Sequence, residues 1–344
     1  MALIYDVAFN SGTRVLSLLD KAGNVISSCE VPSKKLVDDI TKPLTFRATQ
    51  DGSHVSINRY GSPTGKFQKS RDGGNTWTDY GIGTSVTLNA GEEVSFRAKE
   101  DRSAYRDVYE YFSFSMEGKI EAWHNVMSLY LTKYFATYKY AVNYAFNRLF
   151  DNCTSLTKAP ILPATTLGRQ CYRYMFENCQ SLTKAPELPA TTLADSCYQY
   201  MFYRCPSLTK APRLPATTLA SDCYEYMFSG CQSLTKAPEL PATTLANNCY
   251  EYMFENCRSL TKAPELPATT LASWCYSYMF SGCKSLKEVR VSATKTASNA
   301  LYNWLNNVSA TGDFYCDPNA TIFPTGVSGI PANWRRLNIA DYPN

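Results

Sequence analysis

Between residues 150 and 300 the apolar and polar positions follow a frame that repeats. The stretch LTKAPELPATTLA begins at Leu182; near-copies begin at Leu156, Leu208, Leu234 and Leu260, and a decayed copy, LKEVRVSATKTA, at Leu286. Each start lies 26 residues after the last. Self-similarity at a fixed period of roughly 20 to 50 residues marks a solenoid, in which no single coil buries its apolar face alone. Within one coil, Leu182, Ala185 and Leu188 are spaced to point inward along a short extended segment, where Pro186 refuses a helix and removes a ladder donor. Pro189 turns the chain and Leu193 returns it to the core. The next stretch, ADSCYQYMFYRC, has helical spacing. At about 100° per residue, Cys197, Tyr198, Met201, Phe202 and Cys205 share an inward face that excludes Gln199, Tyr200 and Tyr203. Five or six coils at about 4.8 Å each predict a rod of about 25 to 30 Å.

The frame continues in degraded form at both ends. Ala145 and Phe150 stand one period before Cys171 and Phe176, as an N-terminal cap would; Leu301, Tyr302, Trp304 and Leu305 stand one period after Cys275, Tyr276, Tyr278 and Met279. Atypical end repeats cover the exposed faces of a stack. The Pro/Gly-rich tail from 311 to 344 closes the last coil. Upstream the period changes to two. LTFRA, HVSINR, SVTLNAGEEVSFRAKE and YFSFSMEGKIEAW alternate apolar and polar residues between Gly, Asp and Asn, which predicts a small antiparallel sandwich over 45–124. Residues 1–44 hold short apolar runs and a strand-turn-strand pattern at DKAGNVISS, too little for a core of their own. An anchor onto a partner and an extra strand on the next domain both fit. The expected fold is therefore mixed β and α/β: an antiparallel β domain, then a solenoid over 125–310 with its N-terminal cap, and a C-terminal cap.

Composition narrows the function. A net charge of +4 without a Lys/Arg run gives little basis for nucleic-acid binding through counterion release. No apolar run approaches the roughly 18 residues of a membrane helix. The start, MALIYDVAFNSGTRVL, does not read as a signal peptide, and the first cysteine is Cys29, too late for a lipoprotein. Eleven of the 13 cysteines fall into two columns, Cys171 to Cys275 and Cys153 to Cys283, with in-repeat partners eight apart. Zinc needs ligands converging at about 2.3 Å, and neither C-x-x-C nor a neighbouring His is present. Free cysteine behaves as a small buried hydrophobe, so reduced core ladders are expected.

Variation between copies separates interior from surface within this one chain. Core columns barely change. Positions 161, 187, 213, 239 and 265 read Ile, Glu, Arg, Glu, Glu; positions 173, 199, 225, 251 and 277 read Arg, Gln, Glu, Glu, Ser; positions 177, 203, 229, 255 and 281 read Glu, Tyr, Ser, Glu, Ser. The column Tyr172, Tyr198, Tyr224, Tyr250, Tyr276 is expected to line the core. The column Tyr174, Tyr200, Tyr226, Tyr252, Tyr278 is expected at the surface, where with Gln199, Tyr203, Glu225 and Glu251 it forms the candidate binding ribbon, for stacking on sugar rings or contacting a protein. Solvated decoration with Tyr packed on Tyr is the competing reading. The column Lys158, Lys184, Lys210, Lys236, Lys262 reads as a solvated face relieved by Glu187, Glu239 and Glu265.

The coil with Leu182, KAPEL, the return at Leu193 and then CYQYMFYRCPSL resembles the BspA-type leucine-rich repeat, whose coils end in an aromatic, a short spacer, Cys and Leu. Here these are Phe202, Cys205 and Leu208. The resemblance covers about 150 to 300. Such repeats occur in surface and adhesion proteins of Bacteroides-lineage bacteria and in phages that infect them, including crAss-like phages. The resemblance implies binding and attachment and brings no catalytic residues. Bacterial members usually carry an export signal, which virion proteins do not need.

Candidate chemistry is sparse. Ser70, Asp72, Gly74, Thr76 and Trp77 fit the Asp-box of sialidase hairpins, where the motif is structural, and one copy makes no propeller. His54 and His124 sit near no nucleophile motif, and there is no Gly-rich phosphate loop. The expectation is a non-enzymatic protein without cofactor or metal. As a phage virion fibre or decoration protein it would attach to other virion proteins through its N-terminal region and bind a bacterial surface glycan or protein through the solenoid. A homotrimer fits a fibre, although no heptad demands one. A bacterial cell-surface adhesin is the alternative, and a glycan hydrolase the third.

Overall fold

Alternating residues at the N-terminal end build strands that pair locally. The computed structural model describes residues 6–10, 15–19, 22, 25–30, 37–60, 66–101 and 111–342; Met1 lies outside them. β1 (Asp6–Asn10), β2 (Val15–Leu19) and β3 (Val25–Glu30) form an antiparallel meander of their own. Among the described residues they pair with one another and with no strand of the next domain.

Residues 45–123 form two sheets that share one core. β4 (Thr45–Ala48), β6 (Phe67–Ser70), β7 (Thr78–Tyr80), β9 (Glu93–Ala98) and β11 (Ile120–Trp123) lie in one; β5 (Ser53–Tyr60), β8 (Val86–Leu88) and β10 (Tyr111–Glu117) form the other. Inward residues of period two, Phe46, Phe96 and Phe114 among them, meet between the sheets, with Phe46 and Phe114 centred 4.6 Å apart. The turn joining β6 and β7 is the Asp-box. The Asp72 carboxylate accepts from Ser70 Oγ (2.6 Å), Asn75 N (3.0 Å), Thr76 N (2.9 Å) and Thr76 Oγ1 (2.6 Å). These bonds, that of Ser70 foremost, hold it well below the usual carboxylate range. Trp77 Nε1 donates to Gly74 O (2.9 Å), and Gly74 sits at φ +94°, open to glycine alone.

The domain passes into the solenoid without a break in the sheet. β11 runs antiparallel to β4 and parallel to β13 (Leu156–Lys158), the first inner strand of the stack; β12 (Tyr140–Ala141) pairs in parallel with β14 (Thr166–Leu167) beside it. Phe114 stacks on Phe150 at 5.5 Å, and Cys153 Sγ donates to Phe114 O (3.1 Å). The buried Asn125 ties the junction by donating from Nδ2 to Ile40 O (3.0 Å) and Phe135 O (3.1 Å).

From there a solenoid of about 8 turns runs over residues 140–338. Its last inner strands, β15 (Lys262–Leu266), β16 (Glu288–Val291), β17 (Gly312–Cys316) and β18 (Trp334–Asn338), form a parallel four-stranded sheet. The leg with helical spacing is not a helix: among the described residues there is no α-helix. It is a ladder of overlapping turns. Backbone N–H groups of Cys171, Arg173, Met175, Glu177 and Cys179 donate three residues back, as in β-turns, while those of Tyr172, Tyr174, Phe176 and Asn178 donate to Cys197, Gln199, Met201 and Tyr203 of the next coil. Every fourth residue is left-handed, with φ of 54°, 56° and 55° at Gln170, Tyr174 and Asn178, the sign that marks the second central residue of a type II turn. A helix would spend all its N–H groups internally; the turn ladder leaves half of them to bind the next coil.

The inward set is nevertheless the expected one, because the turn ladder's period of four also brings i, i+1, i+4, i+5 and i+8 together. Cys197, Tyr198, Met201, Phe202 and Cys205 are all buried, and Phe150, Phe176, Phe202, Phe228, Phe254 and Phe280 stack at 5.4 to 5.7 Å. The 12 described cysteines whose side chains are placed are unpaired and buried. One column has a polar duty: Cys179, Cys205, Cys231, Cys257 and Cys283 donate S–H to the Phe carbonyl of the preceding coil at 3.0 to 3.2 Å. The final register differs from expectation by one residue. Phe280 N donates to Trp304 O, where Phe254 N donates to Met279 O, so the last coil is a residue shorter. Asn303, not Trp304, takes the place below Tyr278, and Trp304 seals the core under Tyr276.

Candidate binding surface on the turn ladder

The five surface tyrosines come together in one row. Tyr174, Tyr200, Tyr226, Tyr252 and Tyr278 occupy the left-handed position of successive coils, with φ between 52° and 57°. Their rings stack at 4.7, 4.5, 4.2 and 4.4 Å. The Arg148 guanidinium covers the outer end at 4.0 Å from the Tyr174 centroid, and Tyr302 meets Tyr278 at 5.3 Å in a T-shaped contact. Ring faces are thus occupied along the row, and its half-buried members present edges. Sugar rings stack on faces, so this row offers them edge and hydroxyl contacts instead. Burial raises the Tyr252 phenol to about 12.

Arg173, Gln199, Glu225, Glu251 and Ser277 flank the row on one side. Gln199 was expected outside the packed arc; it is buried and donates its amide to the Glu225 carboxylate. Glu225 and Glu251 hold the same position in adjacent coils. Burial, then the neighbouring Glu225 charge, pushes Glu251 up to about 7, and burial raises Glu225 as well. On the other side Tyr203 packs in T-shaped contact against Tyr200 (5.4 Å) and Tyr226 (6.1 Å). The candidate residues other than the buried Gln199 therefore lie side by side on the exterior of the turn ladder. Their neighbour was not anticipated: a groove of about 370 Å³ around Gly230, rimmed by Arg204, Asn256 and Arg258. The clue available in sequence was the run Asn178, Arg204, Gly230, Asn256, Gly282 in one column.

The strand leg carries the lysine column. Lys158 pairs with Asp38 at 2.8 Å and lies over the Trp123 ring; Lys262 pairs with Glu288 at 2.8 Å. Glu265 pairs with Arg290 (3.3 Å) and not with a lysine of the column, and among the described residues Lys184, Lys210 and Lys236 have no ion pair. Among the described residues Glu187, Glu239 and Glu265 make no ion pair with the lysine column, and its two end members pair with Asp38 and Glu288. His124 is buried and accepts from Asp39 N (3.1 Å), and burial lowers its pKa. His54 Nδ1 lies 3.1 Å from Thr87 Oγ1. Among the described residues no three His, Cys, Asp or Glu side chains converge as a metal site requires, and no helix is long and apolar enough to cross a membrane.

A stack of in-register coils with an invariant interior defines a repeat solenoid whose exterior is free to specialise. The family model for the BspA type leucine rich repeat region matches in 6 copies over residues 136–237 and 196–312, more than half of the chain. The chain belongs to the BspA-type leucine-rich repeat family, whose solenoids fit a binding or adhesion role and typically act as non-enzymatic scaffolds. No curated protein and no solved structure matches it.

Proposed function

We propose that this chain is a non-enzymatic adhesion protein whose turn-ladder face binds a bacterial surface glycan, and that it is carried on the particle of a phage infecting Bacteroides-lineage bacteria. One observation carries the binding half. Buried columns such as Cys197, Met201 and Phe202 are kept from coil to coil, while positions 173 to 277 and 177 to 281 beside the tyrosine row change at nearly every step. These columns set acid, amide, guanidinium, hydroxyl and phenol groups beside the tyrosine row, the donors and acceptors that saccharide hydroxyls take. The virion half is supported by the repeat type, which occurs in such phages. In that setting the N-terminal meander and the two-sheet domain face other virion proteins, and the solenoid projects outward.

Two measurements test the halves separately. A surface-polysaccharide array probed with the full chain is expected to give saturable binding. Retention of a protein receptor with no polysaccharide bound would replace the glycan reading. Mass spectrometry of purified particles is expected to find the chain; its absence from the particle would remove the virion setting and leave the cell-surface adhesin.

A further inference from the structure

The coil spanning residues 197–222 departs from its neighbours on one side of the stack. Where other coils have Glu or Ser it has Tyr203, and where they have Asn or Gly it has Arg204. The second change breaks a local rule. That column is left-handed in every coil, with φ of 55° at Asn178, 55° at Arg204, 79° at Gly230, 57° at Asn256 and 76° at Gly282. Glycine and asparagine visit this region readily and arginine does not. The turn ladder holds this position left-handed in every coil, so Arg204 bears a cost that asparagine or glycine would spare. Among the described residues no carboxylate lies within ion-pair reach of Arg204, whose guanidinium rests 5.0 Å from the Tyr203 ring centroid.

One coil further, Gly230 removes the side chain that would stand beside Arg204. The resulting groove, about 370 Å³, lies at the small end of ligand pockets, which run from roughly 300 to 1,000 Å³. Arg204 and Asn256 both line the groove, and Gln232 and Arg258 complete the rim. The side chains of these four have no hydrogen-bond or ion-pair partner among the described residues. Of the acids nearby, Glu177 pairs with Arg148 at 3.3 Å, and Glu255, which lines the groove, accepts from Ser229 Oγ at 2.9 Å. The groove thus offers two guanidinium forks and the Gln232 and Asn256 amides against one lining carboxylate, that of Glu255.

We infer that the Gly230 groove is a binding site for a carboxylated saccharide. An arginine fork matches a carboxylate through two parallel N–H···O bonds, and the Gln232 and Asn256 amides match ring hydroxyls as donors and acceptors. Arg204 and Arg258 stand two coils apart, about 10 Å at about 4.8 Å per coil. That is too wide for one carboxylate and suits a sugar whose acid group meets one fork while its ring reaches toward the other. This inference rests on the glycan reading above and gives it a location and a charge.

The test uses the full chain and titrates glucuronate, glucose and inorganic phosphate by calorimetry, with the polysaccharide array alongside. Arg204→Asn and Gly230→Asn each install the residue that neighbouring coils carry at that position. A Cβ at Gly230 would meet Arg204 at 3.5 Å, an ordinary contact, and asparagine already holds this left-handed position at Asn178 and Asn256; circular dichroism of each variant checks its fold. Saturable glucuronate binding is expected, with glucose and phosphate at least about tenfold weaker, and a loss of about tenfold or more in each variant. Arg213→Glu, the repeat residue on the opposite leg, is expected to bind as the parent does. Glucuronate binding unchanged in both variants would overturn the site. Phosphate binding as strong as glucuronate would overturn the saccharide assignment. Polysaccharide binding without glucuronate binding would remove this inference and leave the glycan reading standing; binding of neither would remove both.

Discussion

At the scale of single residues, the left-handed positions and the half-buried acids decide most of what can be tested. An L-residue in the left-handed region costs roughly 1 to 2 kcal/mol unless it is glycine or, to a lesser degree, asparagine. Asn256 sits there at φ 57°, so Asn256→Ala should lower stability by about 1 kcal/mol, whereas Asn256→Gly should stay within about 0.5 kcal/mol; urea unfolding midpoints read both. The tyrosines of the surface row bear the same cost and gain ring contacts: Tyr200, Tyr226 and Tyr252 each stack on two neighbours, and Tyr174 and Tyr278 on one. Glu251 makes the second prediction. Its carboxyl titrates at about 7 in the folded chain against a model-peptide value of 4.5, so between those pH values the folded state holds a proton the unfolded state has released. Its contribution is greatest below about pH 4.5 and is lost as pH rises toward 7. With the group half exposed, solvent screening reduces the effect to about 1 to 2 kcal/mol. Glu251→Gln should flatten this slope and raise stability above pH 7. A parent chain whose unfolding free energy is flat across that window would show that the stacked pair carries no such penalty.

At the scale of elements, the repeat frame exposed the interior and hid the geometry of one leg. Cys197, Tyr198, Met201, Phe202 and Cys205 could be placed inward because a helix and a ladder of turns both return to one face after about four residues. What separates the two is a strict four-residue recurrence of left-handed positions. Asn152 and Asn178 in one column, and Asp222 and Asn248 in another, signal it only when read together with Arg204 and Trp274, which obscure it. Gln199 was misplaced for the same reason, since the helical wheel turned it outward and the turn ladder draws it beneath Glu225. The groove at Gly230 was illegible because it is a missing side chain among stacked neighbours. Far-UV circular dichroism should accordingly show a strand-and-turn spectrum without the helical double minimum, and a helical spectrum would contradict the ladder. The cysteine columns follow from the same element. Their thiols are raised by burial, and one column is fixed by S–H···O bonds, so they lack the thiolate that reacts. Iodoacetamide should modify at most one of the 13 cysteines in the folded chain and all of them in denaturant, with mass spectrometry giving the count.

At the scale of the whole molecule, the stack behaves as a one-dimensional chain of neighbours with two seals. The upstream seal is the two-sheet domain, whose β11 supplies a strand to the first coil and whose Phe114 continues the phenylalanine ladder through Phe150. The downstream seal is Trp304, buried against Tyr276, Phe314 and Phe323. Between them each coil touches only the coils beside it, so stability is close to a sum of coil and interface terms. Removing residues 209–234 takes out one full period and joins Leu208 to Thr235 in register. Phe202 then stacks on Phe254, Tyr200 on Tyr252 and Cys205 beside Cys257, and both seals keep their partners. The shortened chain should stay folded and monodisperse and unfold in one transition at a somewhat lower urea concentration. Removing residues 209–221 deletes half a period and sets a strand leg against a turn leg. The N–H groups that bind from coil to coil then lose their acceptors, and the buried columns fall out of line. That chain should be aggregated or unfolded by size-exclusion chromatography and circular dichroism. Equal behaviour of the two deletions would mean that the coils are held by something other than their register.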